Sequence, residues 1–104
     1  MNPLFQQASL GAAEEALLTG GLGGRADFQF YRARCSAYSS GTIVVTSWVG
    51  PNFISFQLTG TFTGTVTFEA SNDASTWVAV SVVPSVTAAA VSTATAPGLW
   101  SRSF

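Results

Sequence analysis

From residue 26 onward, apolar and polar positions alternate with the period of two that marks a half-buried β-strand. In 27–37, "DFQFYRARCSA", one face carries Tyr31, Ala33, Cys35 and Ala37 and the other Arg32 and Arg34. The segment 38–41, "YSSG", has turn chemistry, and 42–49, "TIVVTSWV", is rich in β-branched residues and predicts a strand. Pro51 and Asn52 end it, and 53–59 resumes with Ile54, Phe56 and Leu58 in phase. The regularity is strongest in 59–77, "TGTFTGTVTFEASNDASTW". Phe62, Val66, Phe68 and Ala70 take the even positions, and Thr61, Thr63, Thr65, Thr67 and Glu69 the odd ones. Gly60 and Gly64 interrupt the even face and predict a hairpin turn near 60–64. A polar turn follows at 71–75, where Asn72 and Asp73 tolerate a left-handed backbone and can bond their own main chain. A strand is expected over 76–83, stopped by Pro84, then a weaker strand or two short ones over 85–95, and a turn at 96–100 leading into a last extended piece. Many short strands between turn signals indicate an all-β, antiparallel β-sandwich of jelly-roll or immunoglobulin-like size over 25–104.

Residues 1–24 follow another pattern. "SLGAAEEALL" holds strong helix formers, with Ser9 as a cap, Glu14 and Glu15 in the following turns, and Leu10, Ala13, Leu17 and Leu18 at helical spacing. Gly11 weakens that pattern, so the segment reads as a short helix, a helix that forms on docking, or an extended arm. "TGGLGG", 19–24, is a flexible hinge by composition. It is no phosphate loop, since no strand precedes it and no Lys-Ser/Thr follows.

Charge changes this picture most. Of 104 residues, 47% are hydrophobic and 9% charged, against roughly 25% charged in ordinary domains. Lysine and histidine are absent, four arginines face five acids, and the net charge is −1. Such a surface resists self-association weakly; either Ser, Thr, Asn and Gln hydrate it, or, the stronger reading because low charge marks the core of an interface, much of it is buried against other subunits. Phosphate binding needs clustered basic residues, so a nucleic-acid partner is not expected. No apolar run reaches the roughly 20 residues of a membrane helix. The N-terminus lacks the basic and apolar regions of a secretory signal, so synthesis and residence in the cytosol, or exit within an assembly, are expected. The single Cys35 lies in an apolar phase and reads as a buried thiol.

Candidate chemistry is sparse. Trp48, Trp77 and Trp100 could stack on sugars, but packing is the stronger reading, with Trp77 as a core plug and Trp48 phased outward. Glu69 and Asp73 are too few for calcium, which takes about six to eight oxygens. Arg32 and Arg34 can serve a subunit boundary or a solvated strand face. Without histidine, neither the common triads nor a histidine-ligated metal can be assembled. The expectation is a protein without catalysis, cofactor or metal.

The segment "GTFTGTVTFEASNDASTWVAV", with "APGLWSRSF" (96–104) and "YRARCSAYSSGTIVVT" (31–46), resembles a family of small β-sandwich structural proteins of tailed bacteriophages. The resemblance covers about the last three-quarters of the chain, but the order is rotated. In the family the "YRARCSAYSSG" hairpin comes last, so joining "GLWSRSF" to "DFQFYRARCSAY" would restore the usual order. That is the pattern of a circular permutant, which requires neighbouring ends. Strand exchange between protomers is the alternative to self-completion. The resemblance implies a virion structural protein made in the host cytoplasm, and a capsid decoration (cement) protein first of all. Its partners would be the major capsid protein and its own copies, with a trimer expected from the shell's threefold sites. Leu4, Phe5, Leu10, Leu17 and Leu18 would be the docking residues of the arm, and Arg32, Arg34 and Trp48 those of the body. The alternative is a tail or baseplate module that recognises a host glycan or receptor.

Overall fold

Strands that bury every second residue need a facing layer, and this chain supplies its own. The computed structural model describes residues 4–10, 16–20, 26–85 and 89–104. None of these is helical. The strands are β1 (Leu4–Leu10), β2 (Ala16–Gly20), β3 (Phe30–Gly41), β4 (Ile43–Gly50), β5 (Phe53–Thr59), β6 (Phe62–Ser71), β7 (Val78–Ala79), β8 (Val83–Pro84), β9 (Thr93–Ala94) and β10 (Gly98–Ser103). One antiparallel sheet runs β1-β4-β5-β10-β8. The other runs β2-β3-β6-β7, with β9 also on β6. The two pack as a β-sandwich whose core takes the predicted phases: Tyr31, Ala33 and Cys35; Ile54, Phe56 and Leu58; Val66, Phe68 and Ala70. Phe56, Phe68 and Trp100 form an aromatic centre with successive ring centroids 5.3 and 5.6 Å apart.

The turn expected at 60–64 is a crossing between sheets instead. β5 lies in the first sheet and β6 in the second, joined by Gly60 and Thr61, while β3 crosses the other way to β4 through Thr42. The crossings lie side by side, with the Thr42 N–H donating to the Thr61 carbonyl at 3.0 Å. Gly41 and Gly60 have φ of 92° and 106°, and a Cβ on either would stand 2.0 and 2.2 Å from the carbonyl oxygens of Thr61 and Thr42 respectively. Only glycine lets the two backbones approach this way.

The predicted turn at 38–41 is the end of β3, reached through a bulge. Ser36 faces Thr65 but Ser40 faces Thr63, so β3 carries extra residues there. Ala37 adopts φ 53° and leaves the buried face of Tyr31, Ala33 and Cys35 for solvent.

Near the N-terminus the extended alternative is the one realised. β1 pairs with β4 in unbroken register from Leu4↔Val49 to Leu10↔Ile43, and β2 pairs with β3 from Ala16↔Arg34 to Gly20↔Phe30. Helix propensity is a weak preference. Here Leu17 is buried in the core, and the wholly buried Thr19 hydroxyl lies 2.9 Å from that of Ser47 in the facing sheet. Residues 11–15, with Glu14 and Glu15, and most of the glycine-rich hinge lie outside the described residues.

Among the described residues of 76–94, regular pairing is confined to two-residue strands and a Val82↔Val91 bridge. Pro84 does not stop a strand but sits in β8, the last of its sheet, where a missing N–H is tolerated.

Candidate interaction surface

Each sheet turns one face outward, and the two faces differ in charge. On the second sheet, Arg32 and Glu69 are ladder partners, and their side chains meet at 2.7 Å. The Arg32 guanidinium also lies 4.2 Å from the centroid of the Trp77 ring. Trp77 is therefore a half-buried platform for an arginine rather than the expected core plug. Trp100, which is buried on β10 against Phe68, takes the core position. Arg34 follows in the same outward phase, opposite Thr67 and Ala16.

The outer face of the first sheet carries no charged side chain among the described residues. One row crosses it through Trp48, Ser55, Ser101 and Val83. The next crosses through Gln7, Thr46, Gln57 and Leu99. Trp48 is 43% exposed, Leu99 42% and Val83 40%. The predicted outward phase of Trp48 is thus observed. The three body residues proposed from sequence fall on two sides of the molecule, with Arg32 and Arg34 on one and Trp48 on the other.

Arg102, the charged residue of β10, lies opposite the buried Ile54 and turns to the rim of the sandwich. There it contacts Asp27 Oδ2 through Nη2 at 2.7 Å and Nε at 3.1 Å, and donates through Nη1 to the Ser81 carbonyl at 2.9 Å. The Tyr31 hydroxyl donates to Asp27 Oδ1. Burial pushes the Asp27 carboxyl up, but hydrogen bonds from Tyr31 and Arg102 outweigh it and hold the group below its ordinary range. Burial, and then the bond to Asp27, push the Tyr31 phenol well above its ordinary value. Phe104 stacks on Tyr31 with ring centroids 6.2 Å apart, and its N–H donates to the Asn52 carbonyl at 2.8 Å. The C-terminal strand β10 and the segment that leads into β3 are therefore neighbours in this chain's own sandwich.

The two carboxylates weighed for calcium serve separate purposes. Glu69 pairs with Arg32, and Asp73 closes its own turn by accepting from the N–H groups of Ser75 and Thr76 at 2.8 Å each. Asn72 does not bond its own backbone as expected; its Oδ1 accepts from the Gln29 N–H at 3.0 Å. The left-handed residue of the turn is Ala74, with φ 60°.

Of the predicted arm residues, Leu4, Phe5 and Leu10 lie on β1 and Leu18 is exposed on β2. Leu17 has to be corrected, since the strand phase of β2 buries it in the chain's own core and leaves it no surface for docking. Sequence reasoning missed the Thr19–Ser47 pair and the Asp27–Tyr31–Arg102 group. Each joins residues far apart in the chain, and only the polar residues at inward positions hinted at them. Comparison with protein-family models, curated proteins and solved structures returns no match.

Proposed function

We propose that this chain is a structural subunit of a bacteriophage virion, a decoration (cement) protein on the head shell, with the major capsid protein and its own copies as partners. The observation that carries the reading is the charge-free side of the sandwich. Among the described residues it comprises the outer face of the first sheet, bordered by the edge strand β1, which contains no charged residue, no proline and no bulge. Natural proteins guard exposed edges with such devices, and an edge without them suits coverage by a partner. The sequence resemblance supplies the phage context.

In this role the protein works mechanically. A rigid sandwich bridges shell subunits, each contact burying apolar surface at roughly 25 cal/mol per Å², and repetition around the shell multiplies the effect. Phe5, the ladder partner of the outward Trp48, and the exposed Leu18 on β2 are the docking positions, whereas Leu4 and Leu10 pair with the buried Val49 and Ile43 and take the inward phase.

The test is antibody labelling and peptide analysis of purified particles from the phage that carries the gene. Labelled heads are expected, together with particles that release DNA at a lower temperature when the protein is missing and recover when it is added back. Absence from particles sinks the proposal. Labelling confined to tails would favour the second reading, a glycan- or receptor-binding module, which the exposed Trp48 with Gln57 and Ser55 beside it supports.

A further inference from the structure

We infer that two copies of this chain pack face to face through the outer surface of the first sheet, about a twofold axis close to Trp48. This deepens the proposed function by naming how the chain meets its own copy, and it departs from the threefold arrangement expected from shell geometry. The argument starts from symmetry. A twofold contact sets a surface against itself, so any charge near the axis meets a like charge. The charged residues among the described ones, Asp27, Arg32, Arg34, Glu69, Asp73 and Arg102, all lie off this face, at the rim, on the far sheet or in a turn. The face is instead made of hydroxyls, amides and exposed apolar groups. Ser55, Ser101 and Gln57 can each donate and accept, so each can bond its own copy. Trp48, Leu99 and Val83 supply the exposed apolar surface. The far sheet suits such a contact less, because it would have to desolvate Arg32, Glu69 and Arg34.

The area is sufficient. Four main strands about 4.8 Å apart, each about seven residues long at about 3.4 Å per residue, give a plan of roughly 450 Å². With side-chain relief, two such faces bury on the order of 1,000–1,200 Å², the lower end for a specific interface. Flat sheet faces pack well with their strands about 30° apart.

Sedimentation equilibrium of the full chain from about 1 to 500 µM tests this. The expected result is a monomer–dimer equilibrium that Trp48→Asp weakens more than tenfold and that Arg34→Ala, on the far sheet, leaves unchanged, with the far-ultraviolet spectrum retained in both. Ser55→Cys provides a test with Trp48 in place. Next to the axis it should form a disulfide-linked dimer under mild oxidation, whereas Thr67→Cys on the far sheet should not. A monomer at every concentration overturns the inference. So does a trimer, an equal response to Arg34→Ala, or a monomer that binds sugars through Trp48. Loss of particle association with the dimer intact would refute only the virion proposal.

Discussion

Asp73 holds the 71–76 turn with one oxygen. Its Oδ1 accepts from two backbone N–H groups and from the Ser71 hydroxyl, which itself accepts from the N–H groups of Asp73 and Ala74. The backbone bonds from Thr76 and Ser75 stabilise the carboxylate and lower its pKa from 3.8 to about 2. A lowered folded-state pKa contributes stability above the unfolded value, and that stability is lost as pH falls through the folded one. Urea denaturation should therefore show stability falling between about pH 4 and pH 2, and Asp73→Asn should flatten part of that fall. Asp27, also lowered, accounts for a further part. The buried Thr19–Ser47 pair makes a different prediction. Thr19→Val strands the buried Ser47 hydroxyl and should cost about 1–3 kcal/mol, whereas the double variant with Ser47→Ala should cost less than the sum of the two single ones. Chemical denaturation of the four proteins measures this, and simple additivity would show that the pair does not interact. The polar turn was legible as a local cluster of Ser, Asn and Asp. That Ala74 takes the left-handed position was not, because the conformation is imposed by the bonds to Ser71 and Asp73 on either side.

At the scale of elements, the corner formed by the two sheet crossings is the most constrained feature. The β3·β6 ladder of one sheet continues into the β4·β5 ladder of the other, and Gly41 and Gly60 make the bend. Gly41→Ala would force a side chain onto a left-handed backbone and against the Thr61 carbonyl, for a loss of about 2–3 kcal/mol. Gly64→Ala, whose nearest contact would be 3.3 Å from the Tyr38 Cα, should cost less. Thermal unfolding of the two variants checks the order, and equal midpoints would count against the corner. The corner also explains how far the elements were legible. Alternation assigns each residue to a face, so the inward phases of β3, β5 and β6 were readable. It does not assign a strand to a partner, so a glycine pair that carries the chain between sheets resembles a hairpin turn. Periodicity also failed for 76–94, where two-residue strands are too short to show a period. The surface was legible in the same proportion: the outward phase of Trp48 and the shared face of Arg32 and Arg34 followed from alternation. The stacking of Arg32 on Trp77 depends on a tertiary contact that alternation does not contain.

For the whole molecule, the question is whether residues 1–24 are an accessory to the sandwich or part of it. Composition set them apart, since their helix formers and glycines differ from the threonine-rich strands that follow. Their described strands nevertheless border both sheets, with β1 hydrogen-bonded along β4 and β2 along β3. Removing them takes Leu17 from the core and leaves the buried Ser47 hydroxyl without Thr19. By analogy with core truncations the first loss is worth about 2–5 kcal/mol, and the stranded hydroxyl adds about 1–3 kcal/mol. A domain of this size holds only about 5–15 kcal/mol in total. A protein beginning at residue 25 should therefore be marginally folded, with a lower and broader thermal transition by circular dichroism. In hydrogen exchange, β3 and β4 should lose protection first, because they become the new edges. A truncated protein that melts like the full chain would instead place the first 24 residues outside the cooperative unit. Leu4, Phe5, Leu10 and Leu18 would then be available as a group to grip a shell, and the docking role of the N-terminal segment would gain at the expense of its structural one.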